Sequence, residues 1–397
     1  MSTSFLAASD DRQRDARLLA LIVARGLVWD SGLWRIEWKP GMGRCLVAAT
    51  KIPPATKIFT ERPIAVASGG TAAVIKVLAK LDRKGLEFEA AAQLHSRKDR
   101  ASEGTGPWLA SLAANNVHGA GGSVLDPKAG RRAVLGLLSS MMNHECCPSA
   151  VTHISGAEDG SLISLYTVRE LRAGDPISIS YVGAYQPTLT RRALLEKQHG
   201  FVCNCARCTK GIPEHTRAFQ CPACGEGPCS PTSGAADCRN LVCDHCEAEM
   251  ELDDEAWAGL EEAEACEVFD QAMMEVLHPY HHKVTLIYQH NLLKLAPGQR
   301  VEFVKQFADA RERLYSGWTT ESAAHPLVAN DIEGAAVACL NAGDPEQAAE
   351  HFTDASARFA SFYGPDSVDA IRCAKGAGMS TLEEYSRVAA LEIHAHH

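Results

Sequence analysis

Alternating apolar and polar residues mark several short segments of the chain. Residues 33–38 ("LWRIEW") alternate in this way, and apolar runs follow at residues 45–50 and 57–66, after the turn "KPGMGR". Successive side chains of a strand point to opposite faces of its sheet, so this pattern predicts strands. Residues 161–168 and 176–183 predict two further strands, joined by the polar turn "RELRAGD".

Other segments show the apolar spacing that is typical of helices. It occurs in residues 71–81 and 85–97, and it also predicts a short amphipathic helix over residues 11–25. Residues 254–397 are helical in pattern almost throughout, with three proline-led amphipathic segments separated by roughly 40 to 47 residues. This unequal spacing favours degenerate helical-hairpin repeats of the tetratricopeptide (TPR) kind. An unrelated helical bundle is the alternative.

Composition restricts the class of protein further. With 397 residues, of which 46% are hydrophobic, the chain is long enough for more than one globular domain. Its net charge of -10 argues against nonspecific binding to nucleic acid or to an anionic membrane, and it suits a basic peptide partner. No run approaches the ~20 apolar residues of a membrane span, and the N-terminus does not read as a secretory signal. We therefore expect a protein of the cytoplasm, the nucleus or both.

The fifteen cysteines need an explanation other than disulfides if the compartment is reducing. Most of them lie in tight spacings between residues 203 and 246. Cys221/Cys224 and Cys243/Cys246 form two C-x-x-C turns, separated by a loop of zinc-site length. Two such turns supply the four thiolates of a tetrahedral Zn²⁺ site, which predicts a zinc ribbon within residues 217–250. Free thiols are the alternative.

Two features of this region leave the choice of metal ligands open. Cys229 and Cys238 lie inside the ribbon loop and could replace one of its four ligands. The run "FVCNCARC" offers three further thiolates, from Cys203, Cys205 and Cys208. A second tetrahedral site built on these three needs a fourth ligand from elsewhere in the chain.

The segment "SSMMNHECCPSAV", residues 139–151, contains two candidates for that fourth ligand, Cys146 and Cys147. Asn143 and His144 are poor formers of helix or strand interiors, and the proline at position 148 disfavours a helical Cys147. The segment is therefore predicted to be irregular, with polar groups that face something specific. Buried core cysteines are the alternative reading of positions 146 and 147.

Five motifs occur in the order found in SET-domain protein methyltransferases of the SMYD (SET and MYND) type. "MGRCLVA" resembles the first cofactor-binding turn, "NNV" at Asn115 the Asn-x-aromatic element, and "NHECCPS" the Asn-His-x-Cys-x-Pro motif. "SYVG" resembles the segment with the catalytic tyrosine, and "FVCNCARC" resembles the post-SET cysteines. The resemblance covers residues 33–208, but no cysteine of a MYND finger occurs between Val66 and Asn115.

The resemblance implies an α+β fold, with a β-rich SET domain, a helical insert, a post-SET zinc site, a zinc ribbon and an all-α TPR-like C-terminal domain. The expected segments are an N-terminal helix (1–30), the N-terminal part of SET (31–67), a helical insert in place of MYND (68–113), the core of SET (114–186), the post-SET segment (187–210), the zinc ribbon (217–250) and the TPR-like domain (254–397).

The resemblance also implies a function, in which a monomer transfers a methyl group from S-adenosylmethionine to a lysine of a histone or another protein or peptide. Tyr181 is the expected catalytic residue, because its hydroxyl can align the amine with the methyl group.

The resemblance also implies ligands for the metal and the cofactor. In relatives the cysteine equivalent to Cys146 completes the zinc site of Cys203, Cys205 and Cys208. Four thiolates leave no open catalytic position on the metal. The residues expected to contact the cofactor are Arg44, Asn115, Ser140, Asn143, His144, Tyr181 and Phe201.

Some positions depart from the family pattern. Cys45 and Ser149 stand where a glycine and an asparagine are usual, and Val117 and His199 stand where aromatic residues are common. Cys45 and His199 keep a rival hypothesis open, a catalytically inactive SET-fold scaffold that binds proteins, such as a transcriptional co-regulator. Nucleic-acid binding by the zinc ribbon is not expected, because Arg239 alone is basic between its first and last cysteines.

Overall fold

The computed structural model describes residues 21, 27–39, 42–92, 94, 104–120, 132–156, 161–209, 213–265, 271–291, 295–316 and 325–395. The helix predicted for residues 11–25 lies outside these residues, apart from Leu21, which is buried in the main core.

The strands carry the first two thirds of the chain. In chain order they are β1 (Leu27–Asp30), β2 (Trp34–Lys39), β3 (Gly43–Ala48), β4 (Lys57–Glu61), β5 (Ala65–Ser68), β6 (His118–Ala120), β7 (Arg132–Leu135), β8 (Asn143–His144), β9 (Ala150–Ser155), β10 (Leu162–Thr167), β11 (Ser178–Ile179), β12 (Phe219–Gln220), β13 (Pro228–Pro231), β14 (Asn240–Cys243) and β15 (Glu249–Glu251).

The helices lie in three parts of the chain, which are an insert after β5, the segment between β11 and β12, and a long C-terminal region. They are α1 (Thr71–Ala79), α2 (Leu86–Ala91), α3 (Thr105–Asn116), α4 (Thr188–His199), α5 (Ala206–Thr209), α6 (Asp254–Ala265), α7 (Gln271–Val276), α8 (His282–Asn291), α9 (Pro297–Ser316), α10 (Pro326–Ala342), α11 (Pro345–Tyr363), α12 (Val368–Gly376) and α13 (Leu382–Ala395). Among the helices of the described residues, none is both long enough and apolar enough to cross a membrane.

Small sheets surround one apolar core. The strand orders are β1-β4-β10-β9, β5-β7-β6 and the hairpin β2-β3, while β8 and β11 form a short parallel pair and β12 to β15 form a separate meander. Leu46, Phe59, Leu112 and Leu165 are fully or almost fully buried in the core, so both the sheets and the helical insert contribute to it. The meander has its own small core around Phe219.

Most strands and helices predicted from the sequence are confirmed, and the main differences concern two strands. Residues 27–30, grouped above with an N-terminal helix, form strand β1, which pairs with β4. The predicted strand 176–183 is reduced to Ser178–Ile179, because the chain turns away after this pair. Its partner is Asn143–His144, which lies in the segment predicted to be irregular.

Helix boundaries in the C-terminal region follow ordinary capping chemistry. Pro326 occupies the first turn of α10, where its missing N–H costs nothing, and Gly343 ends the helix with a φ of 79°. Asp344 then caps α11, because its carboxylate accepts a hydrogen bond from the Gln347 N–H at 3.0 Å. Helices α9 to α12 pack sequentially on one another. The C-terminal region is therefore largely helical.

Apolar and polar contacts join the helical C-terminal region to the four-stranded sheet β1-β4-β10-β9. Tyr166 of β10 packs on Phe362 and Tyr363 at the end of α11. Beside them, His153 Nε2 of β9 lies 2.7 Å from the Asp369 carboxylate of α12. Burial alone would raise the pKa of Asp369, but the hydrogen bond with His153 and the charge of Arg372 hold it well below its usual range.

This contact predicts that Asp369→Asn destabilises the folded protein by about 2–3 kcal/mol at neutral pH, because it removes a buried carboxylate that pairs with the half-buried His153 and Arg372. The depressed pKa means that the stabilisation is present above the unfolded value near pH ~3.9 and declines as pH falls further. Urea unfolding at several pH values measures both effects. Asp366→Asn, at an exposed position of the same segment, is the control. Equal unfolding free energies for the two variants would contradict the prediction.

Candidate active site

The centre of the site is the pairing of β8 with β11. Asn143 lies opposite Ser178 and His144 opposite Ile179 in parallel register, and the Glu145 N–H extends the pair by donating to the Ile179 carbonyl at 3.1 Å. A 3₁₀ turn, Ser139–Met141, precedes β8. The polar Asn–His pair is therefore held by backbone pairing between segments that are distant in sequence.

A buried carboxylate fixes the approach to this pair. Glu61, at the end of β4, accepts hydrogen bonds from the N–H groups of Leu137, Leu138 and Ser139 at 2.8–3.0 Å. Burial raises the pKa of Glu61, while the three donors act in the opposite direction. At Gly136 an added Cβ would lie 2.3 Å from the Glu61 Oε1, so the turn also needs a residue without a side chain.

Neither Glu61 nor Gly136 was identified from the sequence. The sequence did contain one signal, because the strand run "KIFTE" ends in an acid. A carboxylate that is buried at the end of a strand needs hydrogen-bond donors. The donors themselves lie 76 to 78 positions further along the chain. No local pattern connects them with the strand.

Next to the β8–β11 pair lies a cavity of ≈ 780 Å³, which we call the first cavity. Its rim carries exposed apolar side chains, among them Trp38, Phe201 and Val202. Gly200, with a φ of 77°, ends α4 and turns the chain so that Phe201 reaches this rim. The structure brings all seven predicted cofactor residues to the lining of this cavity, namely Arg44, Asn115, Ser140, Asn143, His144, Tyr181 and Phe201.

Cys45 does not strain the backbone of the turn at residues 43–46 in the way that its replacement of a glycine suggested. The residue with a positive φ is Gly43, at 73°, whereas Cys45 is an ordinary residue of strand β3. Its buried thiol lies 2.9 Å from the Asn143 Nδ2, which also donates to the Arg44 carbonyl at 3.2 Å. Cys45 thus helps to orient the Asn143 amide.

A second cavity of ≈ 540 Å³ adjoins the first. It is lined by parts of the SET-like region and also by Arg311, Tyr315, His325 and Leu327 of the C-terminal region. The residues that line both cavities are Asn115, Asn116, Ser140, Met142, Tyr181 and His199. The two cavities therefore meet around Tyr181.

Tyr181 is held tightly at this junction. Its hydroxyl donates to the Met142 carbonyl at 2.5 Å, and its ring packs on the rings of His144 and His199 at 5.4 and 4.7 Å. Burial raises the pKa of Tyr181, so the phenol remains protonated at neutral pH. A protonated phenol can orient another polar group by hydrogen bonding, but it cannot serve as a base.

The imidazole of His144 joins Tyr181 to the cysteines. The Tyr181 N–H donates to His144 Nδ1 at 3.0 Å, so this nitrogen carries no proton. The proton of the neutral ring is then on Nε2, which lies 3.2 Å from Cys146 Sγ and donates to it. Burial lowers the pKa of His144 to about 4, consistent with a neutral ring. Both nitrogens of His144 are thus bound within the protein, although the ring lines the first cavity.

The first cysteine cluster consists of Cys146, Cys203, Cys205 and Cys208, whose sulfurs all lie within 4.8 Å of one another. Cys146 Sγ is 3.9 Å from Cys203 Sγ and 3.6 Å from Cys208 Sγ. Tetrahedral Zn²⁺ with Zn–S bonds of about 2.3 Å requires sulfurs about 3.8 Å apart. Between the two candidates that the sequence left open, Cys146 and not Cys147 belongs to the cluster.

A buried ionic network holds the segment that carries this cluster. Arg191 of α4 is fully buried, and its Nη2 points to Cys208 Sγ at 3.8 Å. Glu214 lies between Arg191 and Arg207 and accepts hydrogen bonds from the Thr188 N–H and Oγ1 at 2.8 and 2.6 Å. Burial opposes the ionisation of Glu214, but the two arginines and the hydroxyl donors lower its pKa to about 2. This network was not predicted from the sequence.

The second cysteine cluster is the predicted set in the β12–β15 meander. Sulfurs of Cys221 and Cys246 are 3.8 Å apart, and those of Cys224 and Cys243 are 3.9 Å apart. The N–H groups of residues 227 and 245 point to two of these sulfurs at 3.4 Å, as donors to thiolates do. Cys229 is excluded from the cluster and lies buried in the core of the meander.

A third convergence, of Glu264, His281 and His282, has different chemistry. Both oxygens of Glu264 are already bound by Arg217, at 2.8 and 2.7 Å, and His281 Nε2 lies 3.0 Å from the same carboxylate. The positive guanidinium of Arg217 already pairs with this carboxylate and would repel a metal cation. This group is an internal ion-pair network.

Comparison with known proteins identifies the central region. Residues 43–182 match the family model of the SET domain, and these residues include β8, β11 and most of both cavity linings. The chain therefore contains a SET domain, followed by a largely helical C-terminal region. Several curated relatives are named lysine methyltransferases.

One relative is the histone-lysine N-methyltransferase set5 of Schizosaccharomyces pombe, 25% identical over 181 residues, which are 46% of this chain and 52% of that protein. Another is the human N-lysine methyltransferase SMYD2, 31% identical over 70 residues, 18% and 15% of the two chains. The alignments thus span about half of these relatives or less. The solved SET domain of LSMT, bound to lysine and AdoHcy, aligns over 99% of this chain and 92% of its own at 11% identity, with a TM-score of 0.37.

The packing around Gly136 predicts the effect of Gly136→Ala. The new Cβ would lie 2.2 Å from Ser139 Oγ and 2.3 Å from Glu61 Oε1, and Glu61 cannot move without losing its backbone donors. We expect destabilisation of about 1–3 kcal/mol, the usual cost of overpacking. Gly259→Ala is the control, because nothing lies within 4 Å of the added Cβ on helix α6, and it should be neutral or stabilising. Denaturant unfolding of both variants checks this, and unchanged stability of Gly136→Ala would contradict it.

Proposed function

We propose that this protein is an S-adenosylmethionine-dependent protein-lysine N-methyltransferase. The observation that carries the proposal is the meeting of two cavities at Tyr181, one of them lined by all seven residues that the family motifs associate with the cofactor. A methyl donor and an acceptor amine can then approach each other from opposite sides of one aromatic side chain. The SET domain and the named relatives support the same reaction class.

The first cavity fits S-adenosylmethionine by its size and lining. Its ≈ 780 Å³ lies within the range of about 300–1,000 Å³ that is typical of small-molecule sites. The exposed ring of Phe201 offers a surface for adenine, and Asn143 and Arg44 line the cavity beside it. Exposed apolar rims of this kind favour a ligand that covers them.

The acceptor must reach the donor as a neutral amine. When bound, the cofactor supplies a methyl group on a sulfonium, which is already activated for transfer. An ordinary lysine titrates near pH ~10.4, so a site that excludes water must favour the neutral amine. The Tyr181 hydroxyl, fixed by Met142, lies where the cavities meet and can hold the amine in line. His199 lines both cavities and takes the place of a family aromatic residue.

The second cavity would receive the substrate lysine, from a histone or another protein. Its wall includes side chains of α9 and α10, so the helical C-terminal region would form part of the substrate site. We assign these helices to a TPR-like domain on the basis of their sequential packing and proline-led sequence segments. We further propose a monomer of the cytoplasm or nucleus that acts on proteins and not on nucleic acid or membranes.

Both cysteine clusters would hold Zn²⁺. The donor sets are four thiols each, and the sulfur–sulfur distances match a tetrahedral site, as described above. The first site would bind the post-SET segment to the Cys146 segment and so form one wall of the first cavity. With four thiolates, neither metal would have an open position for catalysis, which assigns both to structure.

The proposal predicts the effect of Tyr181→Phe. Loss of the hydroxyl should lower the rate of methyl transfer at least about a hundredfold, because the amine loses its orienting partner. Cofactor affinity should change little. The measurements are transfer from labelled S-adenosylmethionine to proteins of a mixed extract, with mass spectrometry of the labelled bands, and calorimetric titration of the cofactor.

Tyr280→Phe removes a phenol outside both cavities and serves as the matched control, with transfer like that of the unmodified protein. Undiminished transfer by Tyr181→Phe would overturn its catalytic role. No transfer and no heat of cofactor binding in the unmodified protein would favour the scaffold hypothesis, for which the unusual His199 is the supporting observation.

The metal proposal predicts two equivalents of zinc per chain. Cys208→Ser should lose one equivalent and weaken cofactor binding, because the wall of the first cavity loosens. Cys246→Ser should lose the other equivalent, while Cys238→Ser, outside both clusters, should retain both. Elemental analysis of the purified variants measures this. Full zinc content in Cys208→Ser and Cys246→Ser would exclude the assigned ligands.

A further inference from the structure

The second cavity has an uneven distribution of charge. Of the described residues that line it, Arg311 is the one Lys, Arg, Asp or Glu. The other lining groups are apolar side chains, hydroxyls, amides and imidazoles. A guanidinium in such surroundings dominates the local electrostatic field, because nearby protein screens it less than water does.

Arg311 is held in place from two sides. Its guanidinium lies over the ring of Phe307, 4.5 Å from the ring centre. Its Nη1 lies 3.3 Å from Oδ1 and 3.0 Å from Oδ2 of Asp331, which is 2% exposed. A single nitrogen thus makes the contact with Asp331. Burial raises the pKa of Asp331 to about 7, so this acid compensates the arginine only in part near neutral pH.

The Nε atom of Arg311 differs from Nη1 in its surroundings. Nε of Arg311 is buried and has no hydrogen-bond partner among the described residues. Leaving a buried donor unsatisfied costs about 1–3 kcal/mol. The Nε and Nη2 edge of an arginine is the fork that binds a carboxylate through two parallel hydrogen bonds. Among the described residues, the hydrogen bonds of Arg311 leave Nε and Nη2 without an acceptor, and the side chain lines the second cavity.

We propose that Arg311 binds the carboxylate of an acidic residue close to the target lysine in the substrate, and so selects lysines with an acidic neighbour. This inference rests on the proposed function, which makes the second cavity the substrate side. Arg311 would be a specificity residue, separate from the chemistry at Tyr181. An acid at that position also separates the positive guanidinium from the incoming lysine.

The test uses the full-length protein and peptides that contain one lysine among alanines, with a single Glu placed in turn at each of four positions on either side. Matched peptides carry Gln instead. We expect kcat/KM to be about tenfold to hundredfold higher for Glu than for Gln at one or two positions, the range of a charge-assisted hydrogen-bonded pair. Peptides with phosphoserine or a free C-terminal carboxylate at the preferred position compare other anions.

Two variants locate the effect. Arg311→Gln should reduce the Glu-to-Gln ratio to about one, and Arg311→Lys, which keeps the charge but loses the fork, should leave an intermediate ratio. Arg358→Gln is the matched control, because Arg358 pairs with Glu312 and Asp354 on the surface of the helices, and its ratio should equal that of the unmodified protein. Urea unfolding verifies that each variant is folded.

Equal rates for Glu and Gln peptides at every position, or an unchanged ratio in Arg311→Gln, would overturn the inference. So would a preference for phosphoserine with none for Glu. Binding of the same peptides, labelled and followed by fluorescence anisotropy, separates this outcome from failure of the proposed function. If no peptide is methylated, Arg311-dependent binding of the Glu peptides still supports anion recognition, and its absence refutes it.

Discussion

The neutral imidazole of His144 connects the parts of the site that must be close together. Its Nδ1 accepts the Tyr181 N–H and its Nε2 donates to Cys146 Sγ, at 3.0 and 3.2 Å. A protonated ring could not accept from Tyr181, so the arrangement requires the low pKa that burial produces. The His144 ring thus links Cys146 of the cysteine cluster to the backbone of Tyr181. The β8–β11 pairing holds His144 itself in place.

Two buried carboxylates support this centre from opposite sides. Glu61 collects three backbone N–H groups ahead of β8, and Glu214 joins Arg191, Arg207 and the start of α4 behind the cysteines. Burying a charge is costly unless hydrogen bonds or opposite charges replace its water. Both acids meet that condition with several partners, so each organises a segment of otherwise irregular backbone. Irregular backbone near the cavities thus has hydrogen-bond partners without regular secondary structure.

The sequence predicted those features whose chemistry is local or ordered along the chain. Two C-x-x-C turns contain their own geometry, and both cysteine clusters assemble as expected once Cys146 is chosen over Cys147. The partners of Glu61, 76 to 78 residues away, and the Arg191–Glu214 network could not be predicted, since no periodicity connects them. The strand predicted over 176–183 shortened for a similar reason, because its length depends on the partner segment and not on its own alternation.

The two cavities draw on different parts of the chain, and this has a functional consequence if the proposed reaction is correct. Described residues of the SET domain and of the segments beside it, with Cys203 and Cys205, line the first cavity, whereas the second also includes α9 and α10. Cofactor binding then depends on one region and substrate choice on contributions from another. Substitutions in the helices can change which lysine is accepted while His144, Tyr181 and the cysteine cluster remain in place. The contact of His153 with Asp369 joins the two regions through residues that line neither cavity, so such substitutions leave it intact.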